Sequence, residues 1–373
     1  MNAFARLLSG CLLSVLATGG AAFAQERSQQ PAETDAVAAT LIQDGPYLSY
    51  GASQVQAQWV CDGEVIRKTF KARRWPLRIP PRCGYPEPIE VRAKAVAEPT
   101  SSVSGVDRIV ALSDIHGQFD LAVRLLQANR VIDKRLRWNY GDGHLVVVGD
   151  VFDRGPRVTE TFWLLYQLQQ QARDAGGDVH VLLGNHETMV LYDDLRYVNP
   201  KYLRGAELLG KPYPQLYDAD SVLGAWLRTL PTMLKIDDLL FVHGGIEPGH
   251  FDLHLDRDAV NARYRQSLGL AKATVKQDPL FAPLYDGKTS PIWYRGYFKQ
   301  GELSQNDVQT ILDRLGVSRI VVGHTSVEHV GGYFDGRVIA VDSSIKDGRS
   351  GELLFVENGR LERGMLDGKR VPL

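Results

Sequence analysis

Five short segments, spread over more than half of the chain, each place a side chain that can bind a metal directly after a hydrophobic run. Runs such as residues 108–113 and 144–148 are typical of buried parallel strands. The carboxyl ends of such strands meet in one crevice, where open α/β sheets bind ligands. Six candidate ligands are more than one ion needs, so the pattern predicts two metal ions that share a carboxylate. The candidates are Asp114, His116, Asp150, Asn185, His243 and His324.

The composition is that of an ordinary globular protein. The chain has 373 residues, of which 44% are hydrophobic and 23% charged, and its formal net charge is -1. A charge near zero gives no global field that would attract nucleic acid, so we predict no nucleic-acid partner. Any affinity for phosphate must come from local charges, above all from metal ions.

Residues 1–24 have the features of a secretory signal peptide. Arg6 precedes an apolar stretch that ends in Ala-Phe-Ala directly before Gln25. Small residues at the first and third positions of that triplet fit cleavage before Gln25. We therefore predict a periplasmic or secreted protein, with no stable membrane insertion after cleavage. A membrane anchor is the alternative, and Cys11 follows a sequence similar to a lipobox that lies too early in the apolar stretch.

Removal of that leader leaves two cysteines, Cys61 and Cys83. In an oxidising compartment an even pair usually forms a disulfide. Closing a loop of about twenty residues would stabilise the fold by roughly 3 kcal/mol on the chain-entropy model. Two buried free thiols are the alternative.

The mature chain divides into four parts by composition. Residues 25–40 are polar and rich in Ala, which predicts a flexible tether. Residues 41–98 contain two alternating segments that can pair across Asp62-Gly63, and they predict a small β-rich module. Residues 99–106 are predicted to form a linker. From residue 107 to 373 strands alternate with helices, which predicts one α/β catalytic domain.

Two long insertions interrupt this alternation. Residues 190–235 and 247–303 carry many Tyr, Trp, Pro and Arg side chains. Insertions that follow strand ends usually form the walls of a substrate site. Trp293, Tyr294 and Tyr297 could line such a wall or belong to an aromatic core cluster.

The residue types fit a dinuclear site. Asp114 and His116 are two residues apart, so on an extended chain they face the same side. Asp150 has two carboxylate oxygens that can bridge two ions. Two divalent ions would acidify a bridging water to hydroxide near neutral pH and hold phosphate oxygens. Oxygen and nitrogen ligands suit manganese, iron and zinc alike.

Residues beside the ligands add the chemistry of phosphate cleavage. His186 cannot easily share the direction of Asn185 on the chain, so we predict that it protonates the leaving group as a general acid. Asp153 could hold this imidazole in the required tautomer, and Arg154 offers a bidentate fork for phosphate. Glu187 could hydrogen-bond a ligand or cap the next helix.

These segments resemble signature blocks of the calcineurin-like metallophosphoesterases, specifically of the phosphoprotein phosphatase branch. The resemblance lies in residues 149–155 (Gly-Asp-Val-Phe-Asp-Arg-Gly), 184–187 (Gly-Asn-His-Glu) and 113–117 (Ser-Asp-Ile-His-Gly). Ser113 stands where the branch usually has Gly, next to a ligand and not on it. All five blocks occur in order between residues 107 and about 345. The resemblance implies an αββα sandwich, here with a small N-terminal β-rich module.

The resemblance also implies a role for each site residue. One metal would be held by Asp114, His116 and Asp150, and the other by Asp150, Asn185, His243 and His324. His186 would be the acid and Asp153 its partner. Arg154 and Asn185 would contact the phosphate.

The second half of the chain departs from the eukaryotic serine/threonine enzymes, whose later blocks are absent. Residues 290–297 (Ser-Pro-Ile-Trp-Tyr-Arg-Gly-Tyr) stand instead and resemble the bacterial, Shewanella-like group. The arginine of that segment implies a second phosphate-binding residue, Arg295, and a structural ion pair is the alternative. The departure leaves the preference between Tyr and Ser/Thr open.

We therefore predict an exported metal-dependent phosphatase that hydrolyses a phosphorylated protein or a small phosphomonoester by attack of a metal-bound hydroxide. A nucleotide or dinucleotide polyphosphate hydrolase is the alternative, although that related family tends to have Asn where Asp153 stands. A module that binds metal or phosphate without turnover is the third hypothesis, and such a module would not need the acid His186.

Overall fold

The structure, a computed structural model, describes residues 42–94 and 101–373. The predicted signal peptide (1–24), the predicted tether (25–40) and Cys11 lie outside the described residues. Among the helices that are described, none has the length and apolarity needed to cross a bilayer.

Strands supply most of the framework. In chain order they are β1 (Gln43–Tyr50), β2 (Gln54–Cys61), β3 (Glu64–Lys71), β4 (Leu77–Ile79), β5 (Ile89–Val91), β6 (Ser102–Val103), β7 (Arg108–Leu112), β8 (His144–Val147), β9 (Asp178–Val181), β10 (Met233–Ile236), β11 (Leu239–Val242), β12 (Arg319–Val322), β13 (Gly331–Tyr333), β14 (Val338–Ala340), β15 (Leu353–Glu357), β16 (Arg360–Gly364) and β17 (Arg370–Pro372).

Helices connect these strands. In the described ranges they are α1 (Phe119–Ala128), α2 (Val158–Asp174), α3 (Asn185–Leu191), α4 (Pro200–Leu209), α5 (Val222–Leu227), α6 (Arg257–Ser267), α7 (Lys272–Gln277) and α8 (Gln305–Leu315). Local sequence explains their ends. Helix α8, for example, begins at a capping box of Ser304 with Asp307 and ends at Gly316, whose φ is 64°.

Two six-stranded sheets form the centre of the molecule. Their strand orders are β13-β14-β12-β11-β10-β6 and β17-β16-β15-β7-β8-β9. Within them β7, β8 and β9 are parallel, and so are β11, β12 and β14. Runs rich in Val, Ile and Leu suit these strands because both faces of the parallel part are covered.

The two sheets pack face to face on a shared apolar layer. Helices α1 and α2 contact each other, and α2 covers β9, while α6 covers β10 of the other sheet. The αββα sandwich predicted from the sequence is confirmed. The side chains between the sheets include Ile109, Ala111, Val146, Val148, Leu182, Leu234, Phe241, Val321, Ile339 and Leu354.

Residues 42–94 add a β-rich N-terminal region. Strands β1, β2 and β3 form an antiparallel sheet, and β4 pairs with β5. The β2–β3 hairpin turns at Asp62 and Gly63, whose φ values of 52° and 78° match a type I′ turn. Cys61 and Cys83 form the predicted disulfide. Strands β1 and β5 pack on α2.

The sandwich brings the carboxyl ends of strands from both sheets to one crevice. Asp114 follows β7, Asp150 follows β8 and Asn185 lies beyond β9. From the other sheet, His243 follows β11 and His324 follows β12. This topology places the candidate ligands together although they are far apart in sequence.

Candidate functional site

Tight turns after the strands direct the candidate ligands into the crevice. Asp114, His116, Asp150 and His324 all have positive φ, of 53°, 46°, 57° and 63°. Residues other than glycine seldom adopt this conformation, and it persists where the surrounding structure enforces it. Neighbouring turns enforce it here: the Asp114 N–H donates to the Gly149 carbonyl at 3.1 Å, and the His116 N–H donates to the Asp150 carbonyl at 3.0 Å.

One group of ligand atoms surrounds Nε2 of His116. That nitrogen lies 3.8 Å from Asp114 Oδ1 and 3.7 Å from Asp150 Oδ2. The other ring nitrogen, Nδ1, lies 2.6 Å from the Phe152 carbonyl oxygen. Because a carbonyl only accepts, Nδ1 carries the proton and Nε2 presents its lone pair. His116, Asp150 and His186 form one buried set that could hold an ion.

A second group shares the same oxygen of Asp150. His243 Nε2 lies 3.2 Å from Asp150 Oδ2 and 2.9 Å from Asn185 Oδ1. His243 Nδ1 lies 2.7 Å from the Val148 carbonyl, so Nδ1 carries a proton and Nε2 faces the crevice, where a metal ion could take the place of the Nε2 proton. Asp150, His243 and His324 form the second buried set. The Asp150 carboxylate therefore lies between two sets of donors.

Buried donor atoms without partners show that the residues present fit metal ions. His324 Nε2 is buried and has no hydrogen-bond partner among the described residues. The carboxylates of Asp114 and Asp150 are almost fully buried, as is the imidazole of His243. Carboxylates buried together are costly unless positive charge compensates them. Divalent cations would supply that charge through a donor set of oxygen and nitrogen atoms.

The electrostatics of the crevice favour positive charge. Burial lowers the pKa of His243, but the carboxylates of Asp150 and Asp114 outweigh burial and raise that pKa to about 10. Burial lowers the pKa of His116 to about 3, so this imidazole is neutral and available as a ligand. Burial and the neighbouring Asp342 raise the pKa of Asp114. A bound metal ion would replace the proton that these carboxylates attract.

His186 has a carboxylate partner on one side and the crevice on the other. Its Nδ1 lies 2.5 Å from Asp153 Oδ2, and its Nε2 lies 3.9 Å from Asp150 Oδ2. Burial lowers the pKa of His186, but the carboxylates of Asp150 and Asp153 raise it above its ordinary value. An imidazole in this setting can hold a proton at Nε2 near neutral pH.

Glu187 binds backbone amides and contacts no ligand side chain through a hydrogen bond in the described residues. Its Oε1 accepts from the Val151 N–H at 2.8 Å, and its Oε2 accepts from the N–H groups of Gly184 at 2.8 Å and Asp150 at 2.9 Å. Of the two roles that the sequence left open, the cap of helix α3 is present. Glu187 also fixes the backbone of Asp150.

A cavity of about 170 Å³ opens onto these groups and contains both candidate phosphate arginines, Arg154 and Arg295. The Arg295 guanidinium donates to the His324 carbonyl at 2.7 Å and to the Thr325 hydroxyl at 3.1 Å. The Arg154 guanidinium lies 5.3 Å from the centre of the Tyr197 ring. Most of the sequence-predicted metal, acid and phosphate residues line this cavity. The two that do not, His243 and Asp153, contact the lining residues Asp150 and His186.

Several lining residues lack a sequence signal. Tyr197 is 42% exposed, and its ring centre lies 5.3 Å from that of His186. It belongs to the insertion 190–235, whose path depends on tertiary packing. Tyr294 and Tyr297 are core residues, whereas Trp293 lines the cavity. The lining residues that the sequence did not indicate are Tyr197, Ser326 and Lys346.

Comparison with known proteins agrees with this geometry. The chain matches the family described as calcineurin-like phosphoesterase over residues 107–328. It is similar to Shewanella-like protein phosphatase 2 of Arabidopsis thaliana, with 26% identity over 308 residues that cover 69% of this chain and 76% of the relative. It is also similar to the crystal structure of a cold-active protein-tyrosine phosphatase of a psychrophile Shewanella species. That match has 44% identity, a TM-score of 0.84, and coverage of 88% of this chain and 99% of the other.

A symmetrical bis(5′-nucleosyl)-tetraphosphatase of Vibrio cholerae is a more distant relative. It is 32% identical over 149 residues, which cover 40% of this chain and 48% of the relative. The similarity to dinucleotide hydrolases therefore spans less than half of either chain.

Proposed function

The chain belongs to the calcineurin-like phosphoesterase family, and from this premise we propose that it is a dinuclear phosphomonoesterase that acts on phosphoprotein, with phosphotyrosine favoured. It is a metal-dependent phosphatase close to the Shewanella-like protein phosphatases. One observation carries the proposal: the acid pair His186–Asp153 lies beside the shared ligand Asp150 and opens onto the same cavity as Arg154. The protein-tyrosine phosphatase activity named for the similar Shewanella structure supports the choice of phosphotyrosine.

The ligands divide between two ions that share Asp150. Divalent ions, when bound, would acidify a water near neutral pH and neutralise phosphate oxygens. Manganese, iron and zinc all suit oxygen and nitrogen donors. The proposed sets are Asp114, His116 and Asp150 for one ion, and Asp150, Asn185, His243 and His324 for the other.

Arginines from two different loops orient the phosphate. Each guanidinium can donate two parallel hydrogen bonds to phosphate oxygens. Arg295 is held by the His324 carbonyl, so its fork stays next to a ligand of the second ion. Arg154 approaches from the side of His186, and the amide of Asn185 can add a further donor. A phosphoester held in this way presents its leaving oxygen toward His186.

His186 then protonates the leaving oxygen. Asp153 accepts from Nδ1 and keeps the ring oriented, so that the protonated Nε2 faces the cavity. The raised pKa of His186 keeps that proton available near neutral pH. With phosphotyrosine as substrate, the tyrosine leaves as a neutral phenol.

A substrate panel tests this function against the alternatives. Hydrolysis rates are measured with added manganese on a phosphotyrosine peptide, a phosphoserine peptide and diadenosine tetraphosphate. We expect the phosphotyrosine peptide to be hydrolysed fastest. A clear preference for diadenosine tetraphosphate would favour the polyphosphate hydrolase instead. Absence of metal-dependent turnover on all three would leave only a binding module.

We also propose that the enzyme is exported and organised as the sequence predicts. Residues 1–24 would be removed before Gln25, leaving a tether (25–40), a β-rich module (41–98), a linker (99–106) and a catalytic domain (107–373). The Cys61–Cys83 disulfide supports an oxidising compartment. N-terminal sequencing of the protein from a periplasmic or medium fraction should begin at Gln25. An uncleaved leader on protein confined to the cytosol would contradict export.

A further inference from the structure

The loop that carries Asp153 and Arg154 has an unfavourable backbone conformation. The φ values of these consecutive residues are 73° and 63°. Residues other than glycine seldom adopt this left-handed conformation, because their Cβ atom comes too close to the following carbonyl oxygen. Two such residues in succession require neighbours that enforce the conformation. Those neighbours therefore determine where the phosphate arginine and the partner of the acid lie.

The segment that leads into helix α4 holds one side of this loop. The Arg154 N–H donates to the Tyr197 carbonyl at 2.8 Å. The Asn199 side-chain amide donates to the Arg154 carbonyl at 2.9 Å. Both polar groups of the Arg154 backbone are thereby tied to this segment.

Lys201 holds the other side of the loop. Its ammonium donates to the Pro156 carbonyl at 2.8 Å, and the Tyr202 hydroxyl donates to the same oxygen at 2.8 Å. Lys201 lies in the first turn of α4, where the helix dipole disfavours a cation. Its side chain is only 16% exposed, so water compensates little of that cost. Other groups must balance its charge.

Two buried carboxylates balance it. Lys201 Nζ lies 3.9 Å from Asp44 Oδ1 and 3.8 Å from Glu160 Oε1. These two carboxylate side chains are 0% and 3% exposed. Burial raises the pKa of Glu160, and the ammonium of Lys201 opposes that rise. Glu160 also pairs with Arg157, whose Nε lies 3.3 Å from Oε1, so loss of Lys201 would above all leave the buried carboxylate of Asp44 without a cation within 4 Å among the described residues.

Asp44 belongs to the N-terminal sheet and is fixed there. Its Oδ2 accepts from the Tyr47 hydroxyl at 2.6 Å, and that hydroxyl lies 3.3 Å from Thr159 Oγ1 on helix α2. The Trp163 indole N–H, also on α2, donates to the Pro46 carbonyl at 2.9 Å. The sheet thus holds its carboxylate at a fixed position against the catalytic domain.

We propose that Lys201 is a positioning residue of the phosphate site, and that the N-terminal sheet contributes to catalysis through it. The contacts run from Asp44 to the ammonium of Lys201, from there to the Pro156 carbonyl, and along the loop to Arg154 and Asp153. This inference rests on the proposed phosphatase function, since it concerns how the phosphate arginine is placed.

The variant Lys201→Met tests the proposal because it removes the charge and the donor while it keeps the length of the side chain. We expect inorganic phosphate to inhibit the variant about tenfold more weakly, and kcat/KM on an aryl phosphate to be about tenfold lower. The reason is that displacement of a positioned group by about 1 Å can lower the reaction rate by up to about a hundredfold. Most of the change should appear in KM, and the bound metal should be unchanged. The matched control is Arg204→Met, which removes an exposed cation of the same helix that pairs with Glu207. This control should leave phosphate inhibition as in the wild type.

A second variant keeps the test decisive if Lys201→Met does not fold. Asp44→Asn removes the counter-charge in the sheet and keeps the size of the side chain, so it should weaken phosphate binding in the same direction. Calorimetric titration of inorganic phosphate into the metal-loaded protein measures this without turnover. In the double variant the two losses of phosphate-binding free energy should not add, because Asp44 and Lys201 act through the same set of contacts.

Two results would overturn the inference. One is phosphate affinity within about twofold of the wild type in the folded variants, a change too small for the loss of a positioned phosphate-binding arginine. The other is full additivity of the two losses. Failure of the wild-type protein to hydrolyse any phosphomonoester would instead overturn the proposed function, so the two failures are distinguishable.

Discussion

The ligand side and the cationic rim of the crevice are built in different ways. The ligand side consists of the six proposed metal ligands, Asp114, His116, Asp150, Asn185, His243 and His324. The cationic rim consists of Arg154, Tyr197, Trp293 and Arg295. Each member of the ligand side lies at or just beyond the end of a core strand, and none is more than 5% exposed. The cationic rim comes from loops and insertions, and its Tyr197 is 42% exposed.

We infer that the ligand side determines whether hydrolysis occurs, whereas the cationic rim determines which substrate is preferred. Buried ligands must balance charge closely, so one substitution on the ligand side should abolish catalysis. Partly exposed side chains on the cationic rim contact the substrate beyond its phosphate, and changes there should alter which phosphoester is preferred.

Asp150→Asn should have the largest effect. Mutation of a residue that only hydrogen-bonds a metal ligand typically lowers metal affinity or activity by about 10- to 100-fold. Asp150 is itself a proposed ligand of both ions, so we expect its loss to lower kcat/KM by more, by over about a thousandfold. Steady-state kinetics and metal content per chain measure the outcome. Substantial activity with a full metal complement would show that Asp150 is not the bridge.

His186→Gln should reduce kcat by about 100- to 1000-fold on an alkyl phosphate, within the range of general acid catalysis. The loss should be much smaller on an aryl phosphate with an acidic phenol, because that leaving group departs without a proton. Inhibition by inorganic phosphate should not change. Equal losses on both substrates would argue that His186 has another role.

Tyr197→Leu should reduce the preference for aryl over alkyl phosphates without abolishing hydrolysis. Its ring lies beside His186, where the leaving group must sit, so it can pack against a substrate ring. Loss of one aromatic contact should lower the aryl-over-alkyl ratio of kcat/KM by about two- to tenfold. Tyr197→Phe is the matched control and should keep the ratio. An unchanged ratio in the Leu variant would remove Tyr197 from substrate selection.

Replacing both Cys61 and Cys83 by Ser should have the smallest effect on catalysis. The loop closed by the disulfide has a sequence separation of 22. Its loss should lower the free energy of unfolding by about 3 kcal/mol on the chain-entropy model. While the variant stays folded, kcat/KM should remain near the wild-type value, because Cys83 Sγ contacts the backbone carbonyl of Asp44, at 3.8 Å, and not the carboxylate that faces Lys201. Urea unfolding and kinetics at the same temperature separate the two effects.

The ligand side could be predicted from the sequence because its signal is local. Each candidate ligand lies within a few residues of the end of a run that folds as a buried strand, and parallel strands end at a common edge. Asp153 and His186 were identified from their place beside those ligands. For these residues the fold adds distances and hydrogen-bond partners to the roles that the sequence predicts.

The cationic rim and its support could be predicted only in part. Arg295 was reached through a family resemblance, and Tyr197 carries no motif. Lys201 carries no sequence signal, because its partners Asp44 and Glu160 surround its ammonium only in the folded chain, and Asp44 is more than 150 residues away in sequence. Contacts of this kind depend on how insertions and the N-terminal sheet pack, which periodicity does not encode.

The central claim is that two metal ions share the carboxylate of Asp150. The most direct test is to remove bound metal with a chelator and to add manganese back stepwise while the hydrolysis of an aryl phosphate is measured. We expect negligible turnover without metal and a plateau of activity at two ions per chain, one for each of the two proposed ligand sets that share Asp150. A plateau at one ion per chain, or full turnover by the metal-free protein, would contradict it.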